Sequence, residues 1–280
     1  MIISDNKFSK EIEDIIKKCF DEKLALIIAG PTASGKTELA YNISEKYNIE
    51  IISADSRQIY KYLDIGTAKP SKEILEKLPH HLISIIEPNQ RYSAAEFAEN
   101  AENIISEIFQ KNKLPIILGG TGFYIKALFN GLFEGPAADE KIRAELEKNN
   151  NDELFAQLQE IDKLTAQKFH KNDRKRIIRA LEVYMITGKP ISELQLSYTP
   201  KISKFKPFYI ILDIPRKKLY DAINARADKM LKNGWIEETQ EILKNGFNEN
   251  CPAFEGLGYR EIISFLNNRI DFDTLSYKIK

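Results

Sequence analysis

Eight consecutive residues, Gly30-Pro31-Thr32-Ala33-Ser34-Gly35-Lys36-Thr37, carry the spacing G-x-x-x-x-G-K-[ST], in which a glycine-rich turn wraps backbone N–H groups around phosphate oxygens. The motif lies between an apolar run and a helix-like stretch, the context its mechanism needs, because the helix N-terminus adds partial positive charge. Lys36 supplies a point charge and Thr37 a hydroxyl ligand for Mg²⁺. The loop alone points to a bound diphosphate or triphosphate and does not choose between them. Two further segments follow apolar runs: Ser53-Ala54-Asp55-Ser56-Arg57-Gln58-Ile59-Tyr60 and Gly119-Gly120-Thr121-Gly122-Phe123-Tyr124. Beside phosphates, the Asp55 carboxylate either accepts a proton from a nucleophile or holds a metal, with a turn-capping aspartate as the plain alternative. Thr121 either offers its hydroxyl to a leaving-group oxygen or simply sits in a tight turn. The run at 114–118 leads into glycines and not into a Walker-B aspartate, which weakens an ATPase reading. An N-K-x-D base-recognition motif is also missing, which weakens a GTP switch.

These residues need a scaffold. Apolar β-type runs at 24–29, 49–54, 81–86, 114–118 and 208–214 alternate with helix-length amphipathic stretches at 36–46, 93–111 and 122–130, the pattern of an α/β fold with a parallel sheet. Ser93 and Glu96 have capping-box spacing at the start of the second of these helices. In such sheets ligands bind beyond the carboxyl ends of the strands, where the three segments above fall. Residues 10–20 read as a short amphipathic helix that serves packing. Between about 138 and 195 the strand signal disappears and helical segments replace it, at 139–148, 152–160, 163–168 and 173–186. The expected organisation is a P-loop core in residues 1–136, a helical insertion in 137–199, and a return to the core in 200–280.

Bulk properties narrow the classes. Lys plus Arg, at 41, equals Asp plus Glu, at 41, which excludes a uniformly basic nucleic-acid coat but permits a local basic face. The two cysteines are far apart and suggest neither a zinc site nor a disulfide framework. His80, His81 and His170 lack metal-site spacing and read as structural. The apolar runs are strand-sized, so no membrane partner and a cytoplasmic location are expected.

With these motifs in place, the chain resembles the bacterial tRNA dimethylallyltransferases, or isopentenyl-tRNA transferases. The resemblance rests on GPTASGKT at 30–37, SADSRQIY at 53–60, DIGTAKP at 64–70, GGTGFY at 119–124, NDRKRIIRALE at 172–182 and GYRE at 258–261, in the family's order. It implies a P-loop NTPase-like core with a helical insertion that grips the anticodon stem-loop of tRNA. Dimethylallyl diphosphate enters a channel from one end, and the flipped-out adenosine 3′ to the anticodon enters from the other. Its exocyclic amine attacks the allylic carbon and diphosphate leaves. Asp55 is implied as general base, Thr121 as support for the bridging oxygen, and Arg226 as a further diphosphate contact. The 30–37 loop binds the diphosphate, a site also expected to take nucleotides such as ATP, and Thr37 binds Mg²⁺. The implied tRNA contacts are Asp55, Ser56, Arg57, Gln58, Thr121, Arg143, Tyr259 and Arg260.

A helix over 173–186 would put Ile177, Ile178, Leu181, Tyr184 and Met185 on one face and Lys175, Arg176 and Arg179 on the other, with Arg174 near the apolar edge. The basic face reads as solvated charge or, with the resemblance, as an RNA contact. A monomer is expected. Residues 272–280 begin an amphipathic helix with Asp273 or Thr274 as cap and Leu275 and Ile279 on one face. The family's chains continue with a basic helix, so the expectation is a truncated chain. An ATP-dependent small-molecule kinase and a nucleotide-switched RNA-binding protein are the rivals; parallel binding of dimethylallyl diphosphate and ATP separates them.

Overall fold

The computed structural model of the protein describes residues 2–3, 9–133, 135–199 and 201–280; Pro200, where the second core segment is expected to begin, lies outside the described residues. Among the described residues six strands form one parallel sheet: β1 (Ile2–Ile3), β2 (Ala25–Ala29), β3 (Ile49–Ser53), β4 (His80–His81), β5 (Leu114–Leu118) and β6 (Pro207–Leu212). Their order is β1-β6-β2-β5-β3-β4, so the chain leaves β2 toward one edge and later returns to its other side. That reversal at β2 is where open α/β sheets open a crevice. Residues 25–28 of β2 are fully buried and all five of β3 are buried, as expected for strands covered on both faces.

The covering helices are α1 (Lys10–Asp21), α2 (Lys36–Ser44), α3 (Lys72–Lys77), α4 (Ala94–Gln110) and α5 (Gly122–Asn130). Ser93 caps α4 in the expected capping box, its hydroxyl accepting from Glu96 N at 3.1 Å while Glu96 returns a bond to Ser93 N at 2.7 Å. Helix α1 buries Ile12, Ile16 and Cys19 against the sheet core of Leu26, Ile28, Leu39, Ile43, Ile51 and Ile116.

The helices α6 (Glu140–Leu146), α7 (Asn151–Ile161), α8 (Lys163–Ala166), α9 (Arg174–Thr187) and α10 (Ile191–Ser197) lie within a separate compact unit, Gly131–Lys201. Leu146, Leu154, Leu158, Ile177, Ile178 and Leu181 form its own core. The other unit comprises Met1–Asn130 and Ile202–Lys280. Its last part holds α11 (Arg216–Lys232), α12 (Trp235–Lys244), α13 (Tyr259–Leu266) and α14 (Phe272–Ile279). These bury Trp235, Phe254, Tyr259, Ile262, Leu275 and Ile279 against Ile59, Tyr60 and Leu63, just after β3.

Two local expectations are corrected. The strand read at 81–86 is only His80–His81, because Leu82 (φ 59°) and Ser84 (φ 53°) take left-handed backbone, which breaks a pleat, and Ile86 makes a lone bridge to Tyr60. The cap of α14 is Asp271, whose Oδ1 accepts from Thr274 N at 2.8 Å, and not Asp273 or Thr274. Among the described residues no helix is long and apolar enough to cross a membrane.

Candidate active site

The turn after β2 forces unusual backbone. A Cβ on Gly30 would lie 2.8 Å from the Leu212 carbonyl oxygen, so the loop passes β6 as closely as a glycine allows. Gly35 (φ 87°) closes the turn in left-handed conformation and serves as the N-cap of α2, whose first N–H groups have no intrahelical acceptor. Ala33 is also left-handed at φ 62°, a conformation that costs a non-glycine residue about 1–2 kcal/mol. Lys36 Nζ folds back across the loop and donates to the carbonyls of Gly30 (2.9 Å) and Pro31 (2.7 Å). Burial holds its pKa below the ordinary lysine value, and the Arg226 cation lowers it further, against the opposing pull of Asp55. An anion placed between Lys36 and Arg226 would relieve both effects.

The loops after β3 and β5 interlock. A Cβ on Gly119 would lie 2.2 Å from the Ala54 oxygen, so the two backbones touch. Thr121 Oγ1 accepts from Ser56 N at 3.1 Å and Thr121 N donates to the Ala54 oxygen at 3.1 Å, which leaves the hydroxyl proton for a ligand. Asp55 Oδ1 accepts from Arg57 N (2.8 Å) and Gln58 N (3.3 Å). The turn-capping expected as the plain alternative for Asp55 is thus present, and it occupies only Oδ1 in these bonds. Gln58 accepts from Ser53 Oγ at 3.0 Å and donates to the Thr67 oxygen at 3.1 Å, and Arg57 donates to the Pro252 oxygen at 2.9 Å. Both side chains thus brace the loop.

Two cavities meet at Asp55. The first, of about 380 Å³, is lined by the loop residues 32–37 together with Ser53, Gln58, His80, Gly119, Gly120 and Arg226. The second, of about 240 Å³, has a mainly apolar wall that includes Ile223, Met230, Trp235, Leu257 and Ile279. Thr32, Asp55 and Arg226 line both. Arg226, on α11, has its guanidinium pKa lowered by burial and supported by Asp55. Among the described residues no cluster of three or more His, Cys, Asp or Glu could hold a metal.

Tyr259 is 1% exposed at the second cavity, and its hydroxyl donates to Glu238 Oε1 at 2.8 Å. Glu238 in turn accepts from the amides of Asp64 (2.8 Å) and Ile65 (2.7 Å), so it pins the DIGTAKP loop. Trp235 is clamped beside it, because Cβ atoms on Gly66 and Gly258 would come within 1.9 and 2.0 Å of its indole. Arg260 is exposed at the first turn of α13. The sequence offers no signal for Glu238, an acid on an amphipathic helix like many others.

In the insertion, the helical wheel over α9 needs amendment. Lys175 and Arg176 are exposed, but Arg179 is turned inward: it donates to Glu182 Oε2 at 2.6 Å and to the Pro136 oxygen at 2.7 Å. Arg143 grips the same carboxylate through Nε (2.9 Å) and Nη2 (3.1 Å), and Asp139 N adds a bond at 2.8 Å. Glu182 is fully buried, whereas Met185, placed on the apolar face by periodicity, is 49% exposed. An acid in line with Ile178 and Leu181 was the available clue. Arg174, placed near the apolar edge, pairs with Asn151 Oδ1 at 3.0 Å and the Glu147 oxygen at 2.8 Å.

A family model described as IPP transferase matches residues 58–280. The chain belongs to the IPP transferase family. The tRNA dimethylallyltransferase of Caldanaerobacter subterraneus subsp. tengcongensis is 45% identical to this IPP transferase over 262 residues, covering 91% of this chain and 83% of that one. That of Fervidobacterium nodosum is 47% identical over 259 residues, covering 91% and 82%. Among solved structures, the full-length tRNA isopentenylpyrophosphate transferase of Bacillus halodurans is 34% identical with a TM-score of 0.65, over 91% of this chain and 81% of that one. A eukaryotic dimethylallyltransferase captured acting on tRNA is 28% identical with a TM-score of 0.75, over 91% and 65%. This IPP transferase is therefore an enzyme, a prenyltransferase on a P-loop NTPase-like α/β core.

Proposed function

We propose that this IPP transferase moves the dimethylallyl group of dimethylallyl diphosphate onto the exocyclic amine of the adenosine 3′ to the tRNA anticodon, releasing diphosphate. The observation that carries the reading is the junction at Asp55 and Arg226, which line both the phosphate-type cavity and the apolar one. A donor with an anionic head and an apolar tail matches that pair of chambers.

Charge develops on the departing diphosphate, so donors aimed at its oxygens lower the barrier. Lys36, Arg226 and the loop amides hold it, and the Thr121 hydroxyl donates to the bridging oxygen. An aromatic amine becomes acidic as it attacks, and Asp55, beside both chambers, takes its proton. The site also fits a divalent cation: Ser34 Oγ, 2% exposed as a residue and lacking a partner among the described residues, lines the cavity with the Thr37 hydroxyl. Thr37 would hold Mg²⁺, which neutralises phosphate charge. An adenosine inside a stacked loop is out of reach, so the base is flipped out, and Ser56 and the exposed Arg260 are the polar groups assigned to the RNA, since the Gln58 side chain is already bonded within the loop. Lys175 and Arg176 of the insertion serve its phosphates.

Radiolabelled dimethylallyl diphosphate incubated with the protein, Mg²⁺ and tRNA tests the reading. Label is expected in the tRNA, with one diphosphate released per transfer. Hydrolysis of ATP, or transfer of its γ-phosphate to a small molecule with release of ADP, with no label on the tRNA would replace this function with the kinase alternative.

A further inference from the structure

One wall of the P-loop cavity carries more polar atoms than the diphosphate reading uses. His80 Nδ1 lies 2.7 Å from the Leu78 carbonyl oxygen, and since a carbonyl only accepts, Nδ1 bears the proton. Nε2 is therefore a bare acceptor. The atom is buried, has no hydrogen-bond partner among the described residues, and belongs to a residue that lines the cavity. Burial also lowers the pKa of the ring, which keeps it neutral. Against His80 packs Tyr41, edge-on, with ring centroids 6.2 Å apart and planes at 73°. Its hydroxyl is likewise buried without a partner among those residues. Tyr41 sits one helical turn beyond Thr37 on α2, on the same helix face. A buried polar atom left unpaired costs about 1–3 kcal/mol, so such atoms call for a ligand or ordered water.

We propose that His80 is a positioning residue for the divalent cation at the P-loop, its Nε2 accepting hydrogen bonds from water in the cation's hydration shell, with the Tyr41 hydroxyl beside it. This rests on the proposed use of Thr37 as the cation's protein ligand. Mg²⁺ is a hard ion that prefers oxygen and keeps several of its waters, so an imidazole serves it through those waters and not by direct ligation. An imidazole whose other nitrogen is anchored to a backbone carbonyl has a fixed tautomer and orientation, as such a role needs. The arrangement extends cation recognition from the loop to the β4 edge of the sheet, which explains why a histidine with no metal-site spacing faces the cavity, unlike His81, which bonds Glu50 Oε2 at 2.7 Å.

The test uses Mn²⁺ as a spectroscopic stand-in, titrated by electron paramagnetic resonance into the protein with inorganic diphosphate. His80→Phe keeps a ring and removes the acceptor; His80→Gln returns an oxygen near the Nε2 position. We expect His80→Phe to weaken Mn²⁺ binding about tenfold, the usual order for losing a partner outside the ligand set, and His80→Gln to restore most of it. Diphosphate binding without metal should match wild type in both variants. Wild-type Mn²⁺ affinity in His80→Phe, or no recovery in His80→Gln, would overturn the proposal. Failure of the wild-type protein to hold Mn²⁺ with diphosphate would instead remove the P-loop reading, and the proposal with it.

Discussion

The insertion satisfies its buried polar groups, as the core does at Glu50, whereas several groups around the P-loop are left without partners among the described residues. In the insertion the fully buried Glu182 receives bonds from Arg143, Arg179 and the Asp139 amide, and Asp162, 4% exposed, receives them from Thr165 N (2.9 Å), Thr165 Oγ1 (2.8 Å) and Ser192 N (3.0 Å). In the core, Ser34 Oγ, His80 Nε2 and Tyr41 Oη are buried without partners among the described residues, and Lys36 turns back on its own loop carbonyls while its pKa is held down. A satisfied network specifies one arrangement, whereas a half-satisfied one is unstable until something completes it. The difference separates groups that hold the fold from groups that wait for a ligand, and three experiments can break or sharpen it.

The largest effect belongs to Asp55. If it is the proton acceptor at the junction of the two cavities, Asp55→Ala lowers turnover by about 10²–10⁴-fold while tRNA affinity changes far less. Thermal stability should fall modestly, because the substitution also removes the acceptor of the Arg57 and Gln58 amides. Lys36→Ala should weaken donor binding as well as turnover. Steady-state kinetics with calorimetric melting on both variants decides this; near-normal turnover in Asp55→Ala removes it from the mechanism.

Much of this contrast was legible in the sequence on the core side. The G-x-x-x-x-G-K-[ST] spacing, Asp55 and Thr121 all follow apolar runs, and the parallel sheet does gather those ends at one edge. What local pattern could not supply was tertiary pairing. Glu182 looks like a flaw in an apolar stripe until Arg143, 39 residues earlier, is folded onto it. Glu238 binds loop amides 173 and 174 residues away, and no periodicity reaches that far. His80 reads as structural because its role depends on which face of β4 meets the P-loop helix. The two-residue β4 was overestimated for a similar reason, since left-handed backbone at Leu82 and Ser84 is not written in residue type.

The middle effect is on stability. Burial alone would push Glu182 up, but the bonds from Arg143, Arg179 and the Asp139 amide outweigh it and hold its carboxyl below the usual range. With its folded pKa depressed, its stabilisation is present above the unfolded carboxylate pKa and is lost as pH falls through the folded one. Glu182→Gln should cost about 1–3 kcal/mol at neutral pH, less than a wholly buried pair because both arginines are about one-third exposed and can rehydrate. The loss should shrink toward acid pH, and diphosphate binding should persist. Urea denaturation across pH measures it; a pH-independent loss would mean that the carboxylate charge is not what matters.

The smallest effect tests which cations of α9 reach RNA. Helix α9 opens with Arg174, Lys175 and Arg176 and has no acid in its first turn, although cations at a helix N-terminus oppose the macrodipole by about 0.3–1 kcal/mol each. A sequence that accepts this cost at three successive positions has a use for the charge elsewhere. Arg174 bonds Asn151 and Glu147, and Arg179 bonds Glu182 and Pro136, whereas Lys175 and Arg176 are exposed, Arg176 lying 3.2 Å from Asp173, and it is this exposure that makes them the pair proposed to reach tRNA phosphates. Each phosphate contact releases counterions, so replacing both with glutamine should weaken tRNA binding for all sequences and lower the slope of log affinity against log salt by about 1 per residue. Arg179→Gln should instead act mainly through stability, as Glu182→Gln does, with a smaller change of slope. Donor affinity should be unaffected in every case. Filter binding at four or five salt concentrations is sufficient. An unchanged slope in the double variant would make Lys175 and Arg176 solvated surface, while an equal slope change in Arg179→Gln would show that the paired arginines open toward RNA and that the contrast between the two regions does not survive binding.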